Sequence, residues 1–183
     1  MTTSILPSVL VPLVQYLDAL SDRPPLDELG AHLRDTRVTL DDVRDFTIFN
    51  PERYRRNLVA EGPWYSLLVL CWRSGQRSPI HDHAHSVCAF KVLTGVCSET
   101  VYACSSCGQV YPLHTVDRPA DSIVATQDAD THQVSNLQPA DCDLVTLHIY
   151  SPPLKSMALF SITGETVRPW SIAAGSDEEG YAI

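Results

Sequence analysis

His81 and His83 stand two residues apart, so on an extended segment their imidazoles leave the same face, and two ligands on one face are half of a metal site. Gly75 and Gly95 frame this pair, Cys88 follows it, and a third histidine, His132, precedes Asn136 in the run His132-Gln-Val-Ser-Asn136. Further on, Thr146, His148 and Tyr150 alternate. On a strand they share a face, and a hydroxyl, an imidazole and a phenol can then form one hydrogen-bonded row. Tyr54 and Arg56 alternate in the same way, with Arg55 on the opposite face. A guanidinium keeps its charge and its planar fork matches a carboxylate, so Arg56 suits the far end of an anionic substrate.

The spacing of Gly75, His81, His83, Cys88 and Gly95 resembles the first motif of the cupins, small double-sheet β-barrels that hold one metal in the barrel mouth. At the place of Cys88 that motif usually has a glutamate ligand, which this chain lacks. His132 and Asn136 fit the second cupin motif, although its upstream Gly and Pro-x-Gly are replaced by Asp121, Gln127 and Ala129.

A closer resemblance rests on Arg53-Tyr-Arg-Arg-Asn-Leu-Val59, Leu70-Cys-Trp72, Ser78-Pro-Ile-His-Asp-His83, Cys88, Gly95, Glu99-Thr100, His132 to Asn136 and Leu147-His-Ile-Tyr-Ser-Pro-Pro153. Together these are similar to cysteine dioxygenase, in register from about Tyr54 to Gly164. The resemblance implies that His81, His83 and His132 hold one Fe(II) per chain and that Arg56, helped by Tyr54, binds the substrate carboxylate. It implies a thioether joining Cys88 to Tyr150, a His148 that orients the tyrosine hydroxyl, and a cis bond at Ser151-Pro152. The implied reaction is oxidation of L-cysteine by O2 to cysteine sulfinic acid, with Tyr150, His148 and Cys88 as the catalytic group and Thr146 behind them.

The chemistry agrees with these borrowed roles. Three neutral imidazoles leave iron its full double charge, so an anionic thiolate is a natural further ligand, and a thiol near pKa ~8.5 loses its proton to such a metal. Protein ligands on one face of an octahedron leave the other for sulfur, amine and dioxygen. Two added oxygens take a thiol to a sulfinic acid. Two rival readings differ in chemistry: a dioxygenase for 3-mercaptopropionate, which tends to carry glutamine in place of Arg56, and a non-catalytic cupin that only binds a metal or small ligand.

These side chains need elements to hold them. Leu10, Leu13, Val14, Leu17 and Leu20 recur at helical spacing, Leu26, Leu29 and Leu33 mark a second helix from Pro25 to Arg34, and Thr39 to Asp42 looks like a capping box opening a third. From Arg53 the period changes to two. Strands are expected at 54–59, 64–72, 88–93, 98–103, 110–116, 122–126, 132–135, 144–150 and 157–162. The fold expected is mainly β (α+β): one cupin double-stranded β-barrel, or jelly roll, at 51–172, a helical cap at 1–50 and a flexible tail at 173–183.

Composition sets the remaining bounds. The chain has 183 residues, 44% hydrophobic and 19% charged, enough for a single domain with a core. A net charge of −9 with scattered Lys and Arg argues against nucleic acid. The apolar stretch Ile5 to Leu20 is broken by Pro7, Pro12, Gln15 and Asp18, so no membrane span or export signal is expected, and the location expected is cytoplasmic, as a monomer. Reduced thiols follow for the six cysteines. Cys104 and Cys107 read as incidental thiols in a hairpin turn, Cys142 as exposed, His32 and His114 as surface or structural, and Met157 as a residue near the site entrance. His85 is expected to turn away from the metal.

Overall fold

The structure, a computed structural model, describes residues 5–105, 109–127, 131–163 and 168–171. The expected tail and Cys107 lie outside them. A short 3-10 turn, Ser8–Leu10, runs into α1, Val11–Asp18, where Pro12 occupies the first turn and needs no amide partner. α2, Leu26–Asp35, buries Leu29, Gly30 and Leu33. A third helical element follows the capping box. It is a 3-10 stretch, Asp41–Phe46, broken at Val43. The Thr39 amide and hydroxyl both donate to Asp42 Oδ2, at 2.8 and 2.6 Å, which completes the aspartate's half of the box, and no side chain caps the first helical turn. A glutamate, one methylene longer, is what the full box prefers.

The strands are β1 Arg55–Gly62, β2 Tyr65–Trp72, β3 Ile80–His81, β4 Val87–Thr94, β5 Val96–Cys104, β6 Val110–Pro119, β7 Ile123–Gln127, β8 His132–Ser135, β9 Leu144–Ser151, β10 Ser156–Phe160 and β11 Arg168–Ser171. All nine expected strands are present. β3 and β11 are additional to these, and β3 has only two residues beside Pro79, too few to show a period. One sheet has the order β1-β2-β9-β4-β7, the other β11-β10-β3-β8-β5-β6.

Every residue of β2 and β9 is buried, although neighbouring side chains point opposite ways. The reason is that this sheet is covered on both sides. On one face Tyr65, Leu67, Val69, Val87, Ala89, Val145, Leu147 and Ile149 pack with the helices. On the other, Leu68, Leu70, Trp72, Cys88, Phe90, Val92 and Tyr150 pack with Val134, Leu154 and Met157 inside the double sheet. α2 comes so close to β7 that a Cβ on Gly30 would sit 3.4 Å from Ala125 Cβ. Lys91 fastens the cap, donating to the Val38 carbonyl at 3.0 Å with Asp121 Oδ1 at 3.4 Å.

Candidate metal centre

The site lies on the inner face of both sheets, and strand register builds it. His81 on β3 is the direct cross-strand partner of His132 on β8. His83 falls just past the end of β3, in a turn where Ala84 and His85 both take positive φ and the Ser86 amide closes onto His83 O at 2.9 Å. The turn sends His83 inward. His85 is exposed and its carbonyl accepts from Arg23 Nη1, so it faces away from the trio.

One ring nitrogen each from His81, His83 and His132 lies within 4.8 Å of the others, and all three residues are buried. The nitrogens already in use decide what remains. His81 Nδ1 is 2.9 Å from the Pro79 carbonyl and His132 Nδ1 is 2.9 Å from Glu99 Oε1, so each Nδ1 carries the proton. That leaves the Nε2 lone pairs for the centre, and the Nε2 atoms of His83 and His132 are 3.2 Å apart. Burial, and then the nearby His132, hold His81 down to about 3 and keep His83 well below its ordinary value. Neutral imidazole is the ligating form, so this donor set fits a divalent metal.

Glu99, which the resemblance includes in the pair Glu99-Thr100, is buried beside His132. Its burial favours the neutral acid, but His132 and Arg118 outweigh that and bring it down to about 2. Arg118 Nε sits 2.8 Å from Glu99 Oε2. Its place behind His132 depends on β5 lying beside β8, a pairing that no local pattern records.

Tyr54, Trp72, Cys88, His148 and Tyr150 line one pocket together with the histidine trio. Arg56, 8% exposed, places its guanidinium carbon 5.5 Å from the Tyr150 ring centre, while Arg55 is on the half-buried side. Its charge is felt by His81, His83, His148, Tyr54 and Tyr150 alike. Tyr54 stacks on Trp72 with ring centres 4.1 Å apart.

Thr146, His148 and Tyr150 form the row that alternation suggests. His148 Nε2 is 3.0 Å from Thr146 Oγ1 and His148 Nδ1 is 3.3 Å from the Tyr150 oxygen. Cys88 is the direct cross-strand partner of Tyr150. Burial pushes both groups' ionisation up, so thiol and phenol are neutral here. Ser151-Pro152 is cis. Met157 is buried with Tyr54 and Tyr150 in the inner apolar cluster. Asn136 binds the Trp72 and Cys142 carbonyls through Nδ2, at 3.1 and 2.8 Å, and serves the framework. Cys104 and Cys142 are exposed free thiols, His114 is exposed, and His32 stacks on Tyr16 at 3.6 Å between centres.

Two facing sheets with a buried histidine trio at the mouth define a cupin. A solved protein from Klebsiella pneumoniae with a double-stranded β-helix domain has the same fold, with a TM-score of 0.51 and 18% identity over 65% of this chain and 94% of that one. More narrowly, the chain belongs to the family of cysteine dioxygenase type I, whose family model matches residues 1–163. Cysteine dioxygenase type 1 of Homo sapiens is 30% identical over 165 residues, 87% of this chain and 82% of that protein. The protein of that name from Danio rerio is 30% identical over 161 residues, 84% and 80% of the two chains. No helix among the described residues is long and apolar enough to cross a membrane.

Proposed function

We propose that this protein is a thiol dioxygenase that oxidises L-cysteine with O2 to cysteine sulfinic acid, using one Fe(II) held by His81, His83 and His132. The observation that carries the reading is the convergence of three buried imidazoles on one pocket, with the buried Arg56 against its Tyr150 wall. Bound iron would supply the positions at which thiolate and dioxygen meet and the electronic means to join them. The balance needs no other reductant: sulfur gives up four electrons, both oxygen atoms end on it, and the thiol proton ends on the sulfinic acid.

The chain's own residues bind and orient. Arg56 takes the substrate carboxylate, and Tyr54, pinned against Trp72, is the aromatic wall beside it. Tyr150, steadied by His148, presents its phenol to the reacting end. The apolar surround of Leu70, Val134 and Met157 limits water. Cys88 and Tyr150 are neighbours across the ladder, which supports a thioether between them. In that step a C–S bond replaces one S–H and one ring C–H, and dioxygen accepts the two hydrogens with their electrons.

The test is anaerobic loading with Fe(II), followed by oxygen uptake with cysteine, cysteamine and 3-mercaptopropionate in parallel. Fastest uptake with cysteine and one O2 consumed per sulfinate is the expected result. Preference for 3-mercaptopropionate would reassign the substrate, and no uptake with any thiol would leave a metal-binding cupin.

A further inference from the structure

Trp72 is 1% exposed, and its indole Nε1 lies 3.2 Å from Thr146 Oγ1. The row of polar side chains on β9 therefore continues across the ladder into β2. Leu70 is the cross-strand partner of Thr146, so Trp72 reaches it from the diagonal position. Asn136 holds the Trp72 carbonyl and Tyr54 stacks on the indole, which leaves the ring little freedom.

An indole N–H can only donate. It occupies one lone pair of the Thr146 oxygen, which is wholly buried and has His148 Nε2 as its other hydrogen-bond partner. If His148 carried its proton on Nε2, the threonine oxygen would accept twice. Its own hydrogen would then be enclosed without an acceptor, an arrangement strongly disfavoured in a dry interior. In the other tautomer every enclosed donor is satisfied. Trp72 donates to Thr146, Thr146 donates to His148 Nε2, and His148 Nδ1–H donates to the Tyr150 oxygen at 3.3 Å, a nearer and better acceptor than Cys88 Sγ at 3.9 Å. The hydrogen left over is that of the Tyr150 hydroxyl, and its outlets are the Cys88 sulfur, to which it is hydrogen-bonded, and the pocket that both residues border.

We propose that Trp72 is a positioning residue that gives the row from Trp72 through Thr146 and His148 to Tyr150 one direction, so that His148 is protonated on Nδ1 and the Tyr150 hydroxyl is left to donate to the Cys88 sulfur or to a group in the pocket. The kinetic part of this rests on the thiol dioxygenase reading. The tautomer does not, so the two can fail separately.

The experiment is 15N NMR of histidine-labelled, zinc-loaded protein, which is diamagnetic, with His148 assigned by its loss in His148→Gln. The expected wild-type pattern has the proton on Nδ1 and a bare Nε2; a proton on Nε2 overturns the proposal. Trp72→Phe is expected to give mixed tautomers and, in the iron-loaded enzyme, a kcat lower by about tenfold with KM for cysteine within about twofold. A pure Nδ1–H tautomer with unchanged kcat in that variant removes Trp72 from the role. Should Trp72→Phe fail to fold, Thr146→Val takes its place: it keeps the indole, removes the middle link, and is expected to release the tautomer, whereas Thr146→Ser retains it. An unaltered His148 in Thr146→Val would equally overturn the proposal.

Discussion

Glu99 does for His132 what the Pro79 carbonyl does for His81: each accepts the Nδ1 proton and leaves Nε2 for a metal. The difference is that Glu99 is charged and is itself held by Arg118. Glu99→Gln keeps an acceptor but loses the charge, so zinc affinity measured by chelator competition is expected to fall by about tenfold or more. Unchanged affinity would show that His132 needs no such support. Arg56 invites a substrate test at the same scale. Arg56→Ala removes a charge-assisted, two-pronged contact, and the KM for cysteine is expected to rise by about 10–100-fold. Cysteamine has no carboxylate, so its oxidation is expected to change little. Equal losses with both thiols would mean that Arg56 supports the pocket and does not read the substrate.

At the scale of elements, the site depends on how chain turns aim strands. Gly75 and Gly95 frame the first motif with nearly equal φ, +83° and +82°. The sequence treats them alike, and their surroundings do not. A Cβ on Gly75 meets nothing within 4 Å, whereas one on Gly95 would lie 2.5 Å from the Asp143 carbonyl oxygen. Gly75→Ala is therefore expected to cost about 1 kcal/mol, the left-handed backbone alone, and Gly95→Ala about 3 kcal/mol or more, read from urea midpoints. Equal costs would mean that the β4–β5 turn yields freely. The expected strand alternation held because one sheet separates helices from barrel interior. The capping box supplied one of its two bonds, from the Thr39 amide to Asp42, and the turn it opens stays 3-10.

For the molecule as a whole, holding several imidazoles in a dry interior couples stability to pH. The pKa of His81 and of His148 falls from 6.5 to about 3, burial being the main cause, and His83 is depressed as well. Between pH 6.5 and about 3 the unfolded chain binds protons that the folded chain does not, so stability falls as pH falls. His81 and His148 each contribute up to about 1.4 kcal/mol per pH unit within that window, and His83 acts in the same direction. Glu99, depressed from 4.5 to about 2, acts in the same direction below 4.5. The metal-free protein is expected to melt at a clearly lower temperature at pH 5.5 than at pH 7.5. A flat profile would mean that the imidazoles are solvated. Metal at about 100 times its Kd is expected to add about 2.7 kcal/mol, because only the folded chain gathers the trio.

The sequence by itself determined the barrel class, the cap, the histidines at 81, 83 and 132, and the faces shared by Tyr54 with Arg56 and by Thr146, His148 and Tyr150. Periodicity and motif spacing are local properties, and a chain carries them whether or not it is folded. Only the tertiary structure decided that Glu99 and Arg118 stand behind His132, that Trp72 ends the polar row, and that the two framing glycines differ in what they tolerate. Those facts come from register between strands far apart in the chain, and register is settled when opposite faces are buried together.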